Sequence, residues 1–260
     1  TGIPGAAPAS SRHDGTEPVA ASTAPGSAAG PERQPAPDPP AAAATVFGDR
    51  LAVAARFADV LADTGVSHGL IGPREVPILW ERHILNCAVV HEAFPHGARI
   101  ADVGSGAGLP GLALAIARPD LRLHLVEPLL RRTTWLEDTV RTLGLDNVTV
   151  VRARAEELHG QLHVPYATAR AVARIDKLAR WTFPLLAPGG ELVALKGSSA
   201  ADELAAQEPV LRRLGMTEAV IETYGSGLLD PATVVVRATV RPPASSGSSR
   251  GRTKSRRRSA

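Results

Sequence analysis

The residues best placed to do chemistry are concentrated in "ADVGSGAGLPG" (101–111), where four glycines fall within eight residues. Gly106, Gly108 and Gly111 match G-x-G-x-x-G, a spacing that lets backbone N–H groups approach a ligand with no Cβ in the way. A helix starting here would add free N–H groups and a partial positive charge, both suited to an anionic ligand group. Asp102 stands just before the loop, where a carboxylate would repel a pyrophosphate but would meet an ammonium group or brace the loop. Glu127 lies 21 residues beyond Gly106. A carboxylate there can accept hydrogen bonds from both ribose hydroxyls of an adenosine, each charged bond contributing roughly 1.5–3 kcal/mol. "RAE" (154–156) could supply contacts to an adenine edge.

The loop and Glu127 suit NAD as well as S-adenosylmethionine. Asp102 favours the latter, whose methionine moiety carries both a carboxylate and an ammonium. An NAD domain would also need a second, substrate domain, for which the chain has little room. Basic residues supply the remaining candidates: Arg170 and Lys196 at strand ends, and Arg82 and His83 on a helical run before the first strand. Arg131 and Arg132 read as a solvated helix face. Cys87 sits in a helical run and reads as a small buried hydrophobe. As the only cysteine it excludes an intramolecular disulfide and a cysteine-based zinc cluster. No spaced His/Asp/Glu set suggests a metal.

The elements that must position these residues alternate. Helical periodicity covers 46–63 and 77–93, with Pro77 acceptable in a first turn. Strands are predicted at 99–104, 121–127, 147–153, 166–172 and 191–197, the last preceded by a break at Pro188-Gly189-Gly190. Helices fall at 109–117, 129–143, 176–186 and 202–214. The final strands, 216–224 and 232–240, have no helix between them and should pair antiparallel. This pattern predicts an α/β fold, a doubly wound, mostly parallel seven-stranded sheet with one antiparallel strand, preceded by helices. Ligands of such sheets sit beyond the carboxyl ends of the strands, where the glycine loop lies.

The ends differ from the middle. Residues 1–44 hold nine prolines, thirteen alanines and five glycines without an aromatic residue, a composition expected to be disordered. They lack the basic start and apolar run of a secretory signal. Residues 241–260 carry seven Lys/Arg and no acid, so the net charge of +3 covers 22 basic and 26 acidic side chains elsewhere, a balance of −4. This tail is either a solvated run or a contact for polyanions such as RNA. The expected domain is 45–240. No window reaches the length of a membrane-spanning helix.

"RHILNC" (82–87), "DVGSGAGLPG" (102–111), "ARAVA" (169–173) and "LKG" (195–197), in this order, resemble the RsmG (GidB) family of bacterial 16S ribosomal RNA guanine-N7 methyltransferases. The likeness extends over about 45–240, and "LLAPGGELVALKG" with the final hairpin also matches the second half of a Rossmann-like class I methyltransferase. The resemblance implies a cytoplasmic enzyme that uses S-adenosylmethionine to methylate one guanine in the 530 loop of 16S RNA, near the decoding centre. Its substrate would be that RNA or the small ribosomal subunit, with no membrane or metal partner. Gly104 and Leu109 would line the cofactor pocket with Asp102, Gly106, Gly108 and Glu127. Ala155 and Glu156 would flank the adenine, and Arg170 would close the site. The family often has Asp-Ser where this chain has Asn86-Cys87.

Guanine N7 has an exposed lone pair and no proton to lose, so alignment matters more than a general base. The sequence accordingly lacks an Asn/Asp-Pro-Pro-aromatic stretch after the fourth strand, the usual device for an exocyclic amine. Arg170, Lys196 and His83 are the catalytic-side candidates. Arg170 would shape the pocket and guanine site, Lys196 would contact RNA phosphate or a base acceptor, and His83 would position RNA or brace the loop. Methylation of another substrate and non-catalytic nucleotide binding are the alternatives.

Overall fold

The computed structural model describes residues 35–241; the basic tail beyond 241 and most of the expected N-terminal tail lie outside them. The first helix, α1 (Ala41–Phe47), begins four residues before the expected boundary at 45. Ala43 and Phe47 are buried, and the Trp80 indole N–H donates to Pro37 O (2.8 Å), so this alanine-rich segment belongs to the packed structure. The helix expected at 46–63 is interrupted at Gly48 (φ +48°), after which α2 (Leu51–Val60) runs into a wide π turn, Leu61–Gly65. The run predicted at 77–93 is also broken up. A 3-10 segment (Pro73–Ile78) contains Pro77, a π turn follows (Trp80–Leu85), then α3 (Asn86–Ala88) and another 3-10 turn (Val89–Ala93). Pro77 lacks the N–H that a regular helix would need.

Seven strands then form one sheet: β1 (Arg99–Val103), β2 (Arg122–Val126), β3 (Val148–Val151), β4 (Val164–Arg170), β5 (Leu186–Lys196), β6 (Met216–Tyr224) and β7 (Thr233–Val240). Their order is β3-β2-β1-β4-β5-β7-β6, parallel through β5, with β7 antiparallel to both its neighbours. The predicted doubly wound sheet with one reversed strand is the architecture found. One expectation fails at Pro188–Gly190, which lies inside β5 rather than ahead of it. The β4–β5 register shifts between Val164 and Tyr166. A Cβ on Gly190 would lie 2.8 Å from Ala187 O and Pro165 O, so the segment is an irregularity that only glycine fits.

Helices α4 (Gly111–Ala117) and α5 (Leu130–Leu143) follow β1 and β2, while α6 (Ile175–Thr182) and α7 (Ala200–Arg213) follow β4 and β5. Alternation along β5 shows the two faces. Val193 and Leu195 join the core formed with the N-terminal helices, α4 and α5, whereas Leu192 and Ala194 join that of α6 and α7. Both layers are therefore needed to cover the parallel strands. Among the described residues no helix is long and apolar enough to cross a membrane. From β1 the chain winds outward to β2 and β3, then returns to β4 on the other side. The crevice beyond the ends of β1 and β4 is the switch point where such sheets bind ligands.

Candidate active site

A cavity of about 620 Å³ occupies that crevice, within the size range of small-molecule sites. Its floor is the glycine loop. Gly104 N and Ser105 N donate to Val126 O (2.8 and 3.3 Å), tying the loop to the end of β2. Gly104 (φ +76°) and Gly106 (φ +52°) take left-handed conformations. A Cβ on Gly104 would come within 2.9 Å of Val172, across the cavity wall. These two glycines serve the cavity. Gly108 and Gly111 serve packing instead, because their Cβ atoms would fall 2.3 Å from Leu112 and Leu125 respectively. Gly108 thus does not line the cavity, contrary to the sequence expectation, whereas Gly104, Gly106 and Leu109 do.

Asp102 is also placed differently from the reading that gave it a ligand. It is fully buried beneath the loop, and its Oδ2 accepts from Gly111 N (3.1 Å) at the start of α4. It braces the loop from below. Its Oδ1 has no partner among the described residues, and burial pushes its pKa up to about 7. Ser105 Oγ donates to Asp102 O (2.9 Å), closing the turn from the same side.

Glu127 stands at the end of β2 as expected, lining the cavity while only 2% exposed. Gly106 N donates to one carboxylate oxygen (3.2 Å) and Leu129 N to the other (3.1 Å), with Arg132 at 3.6 Å. A carboxylate offers about four acceptor positions, so this anchored pair still has capacity towards a diol in the cavity. Ala155 and Glu156 lie beyond β3 on the same wall, in a single 3-10 turn whose Glu157 caps Arg154 N (2.8 Å). Leu129 and Trp181 also line the cavity.

The other end of the cavity is made by residues that sequence reasoning left unassigned. Leu70, Ile71, Gly72 and Glu75 line it from the link between the two N-terminal helical regions. His83 and Arg170 meet here, with Arg170 Nη2 2.9 Å from His83 Nδ1. Ala171, next in line, is the one non-glycine residue of positive φ (54°) among those described, a conformation that costs about 1 kcal/mol.

A second cavity of about 450 Å³ lies behind this segment and shares Arg170, Ala171 and Val172 with the first. Arg82, Asn86, Lys196, Ser198 and Pro231 complete it. Lys196 is already engaged: Nζ donates to Ala173 O (3.0 Å) and to Glu203 Oε1 (2.9 Å), an oxygen that also accepts from Ile175 N (2.6 Å). Its side chain is 12% exposed. Lys196 is therefore a strut for the 171–175 segment, with one N–H left over for the RNA phosphate or base acceptor that the sequence reading expected. Asn86 is likewise structural. Its Nδ2 donates to Thr233 Oγ1, which donates back to Asn86 O (both 2.9 Å), clamping α3 to β7. Cys87 is buried, as expected, and burial pushes its thiol to about 11. Among the described residues no cluster of His, Cys, Asp and Glu could hold a metal.

The family model described as "GidB: rRNA small subunit methyltransferase G" matches residues 50–227. Ribosomal RNA small subunit methyltransferase G of Streptomyces avermitilis is 55% identical over 205 residues, covering 78% of this chain and 86% of that protein. The namesake protein of Thermobifida fusca is 56% identical over 202 residues, covering 78% and 85%. Among solved structures, a putative O-methyltransferase of Nostoc punctiforme superposes with a TM-score of 0.50 at 13% identity, covering 62% of this chain and 57% of that one. That likeness concerns the fold alone.

Proposed function

The chain belongs to the GidB family of rRNA small subunit methyltransferase G proteins, and from that premise we infer that it methylates N7 of a single guanine in the 530 loop of 16S ribosomal RNA. S-adenosylmethionine is the methyl donor. The observation that carries the reading is the pair of cavities meeting at Arg170–Val172, one lined by the glycine loop and Glu127 and the other by Arg82, Asn86 and Lys196.

The residues fit the donor. Gly104 and Gly106 leave backbone where a side chain would fill the cavity, Glu127 faces the position for two ribose hydroxyls, and Ala155 and Glu156 border the adenine slot. When bound, S-adenosylmethionine supplies an electrophilic methyl group on a sulfonium. The lone pair of N7 forms the new C–N bond in line as the C–S bond breaks, and no proton is transferred. The chain's task is therefore alignment and exclusion of water, not acid–base work. Arg170 has N–H groups beyond those it spends on the protein, and it can offer them to guanine O6 beside N7. The link residues Leu70–Gly72 and Glu75 shield the donor from solvent.

We further propose that the enzyme works in the cytoplasm with its ribosomal substrate, and that the basic tail at 241–260, with seven Lys/Arg and no acid, contacts RNA phosphates. Labelled S-adenosylmethionine, unmodified small-subunit RNA and small-subunit particles provide the test, followed by borohydride–aniline cleavage at 7-methylguanosine. A single cleavage in one loop is expected. Label without cleavage would exclude N7, and absence of label from a protein that binds the donor would exclude this RNA chemistry.

A further inference from the structure

N7 methylation leaves a histidine in the site without acid–base work, yet His83 is held from both sides. Arg170 Nη1 donates to Arg82 O (3.1 Å) and Nη2 lies 2.9 Å from His83 Nδ1. A guanidinium has only donors, so Nδ1 must present its lone pair. The ring proton is then on Nε2, which donates to Glu75 Oε2 (2.7 Å), an oxygen shared with Arg82 Nε (3.2 Å). Link, helix and strand end thus converge on one imidazole in one tautomer.

We propose that neutral His83 is a positioning residue, fixing the Arg170 guanidinium in the wall between the two cavities, and that a proton on Nδ1 releases it. The proposal rests on the methyl-transfer reading above. Once protonated, both ring nitrogens donate, and Nδ1–H would confront the N–H groups of Arg170 with like charge. The charged groups facing the ring are Arg170 from β4, Glu75 from the link and Arg82 from its own turn. Burial, with the two arginines, holds the imidazole below its ordinary 6.5 against the opposing pull of Glu75. The neutral ring is the resident form at neutral pH, and the hydrogen bond fails on acidification.

The test is the pH profile of kcat for wild type, His83→Asn, His83→Ala and Glu75→Gln, with donor affinity measured at each pH by calorimetry. Asn Oδ1 can accept from Arg170 near the Nδ1 position but cannot titrate. Wild type should lose activity below about pH 6.5 while still binding the donor. His83→Ala should lose about 10- to 100-fold in kcat at neutral pH and converge on wild type as the wild-type ring protonates. His83→Asn should exceed His83→Ala several-fold and lack the acid limb. Glu75→Gln should move the limb to lower pH, because the carboxylate favours the protonated ring. An acid limb unchanged in His83→Asn would assign it to another group, such as Asp102, and overturn the proposal. Equal activity of the Asn and Ala variants would do the same. Nitrogen-15 NMR of the imidazole reads the tautomer without turnover: an Nδ1–H ring at neutral pH overturns the proposal. An Nδ1 lone pair in a protein that transfers no methyl would instead indict the functional reading alone.

Discussion

Replacing Glu127 with Gln tests the cofactor site where its geometry is most explicit. The two carboxylate oxygens accept from Gly106 N and Leu129 N, and the group is almost wholly buried. Glutamine keeps one acceptor and turns a donor towards the other N–H. Two consequences follow from one substitution. Against the ligand, one charge-assisted bond to a ribose hydroxyl is lost, roughly 1.5–3 kcal/mol, or about 10- to 150-fold in Kd. In the free protein, one backbone N–H is left without a partner, about 1–3 kcal/mol, which for a domain of this size lowers Tm by about 2–10 °C. Calorimetry with S-adenosylmethionine and S-adenosylhomocysteine reads the first, and thermal unfolding of the free protein reads the second. Both ligands should weaken equally, since they share the ribose. A Kd within about threefold of wild type would refute the assignment of Glu127 to the ribose, whatever happens to Tm. A fall in Tm without loss of affinity would leave Glu127 as a brace for the loop only.

Four other outcomes follow from the same geometry. Asp102 has a pKa raised to about 7 by burial, so the folded state binds the extra proton and stability should fall as pH rises from about 4 to about 7. Asp102→Asn should remove that slope, as measured by Tm across the range. Lys196→Met leaves Glu203 without its cation and should cost up to about 3 kcal/mol; adding Glu203→Gln should recover part of it in a double-mutant cycle by denaturant unfolding. Asn86→Asp and Asn86→Leu should each lose about 1–3 kcal/mol by denaturant unfolding, because both remove the Nδ2 donor and the single hydroxyl proton of Thr233 is already given to Asn86 O. Removing 242–260 should weaken RNA binding at low salt, read by a filter-binding salt series, and leave donor affinity unchanged.

The alternation of periods, the antiparallel pairing of the last two strands, and the position of the glycine loop and Glu127 were legible in the sequence. Each depends on local rules: side-chain period, glycine's freedom at positive φ, and the fixed distance from one strand end to the next. The Pro188–Gly190 break was misread because a bulge and a loop carry the same residues, and only the neighbouring strand decides between them. The four alanines at 41–44 fall in the helix rather than the expected disordered tail, because alanine is compatible with disorder until a partner such as Trp80 packs beside the segment. Side-chain assignments divided on the same line. Asp102, Gly108, Lys196 and Asn86 carry residue types that suit ligands, yet tertiary contacts from Gly111, Leu112, Glu203 and Thr233 commit them to the frame. Sequence alone determined the order of elements and the end of the sheet where the chemistry belongs. The link lining the cavity, the second cavity behind Ala171 and the junction of Glu75, His83 and Arg170 were decided by the tertiary structure. Arg170 reaches His83 and the Arg82 carbonyl across 87 and 88 positions, and no local spacing encodes such a meeting.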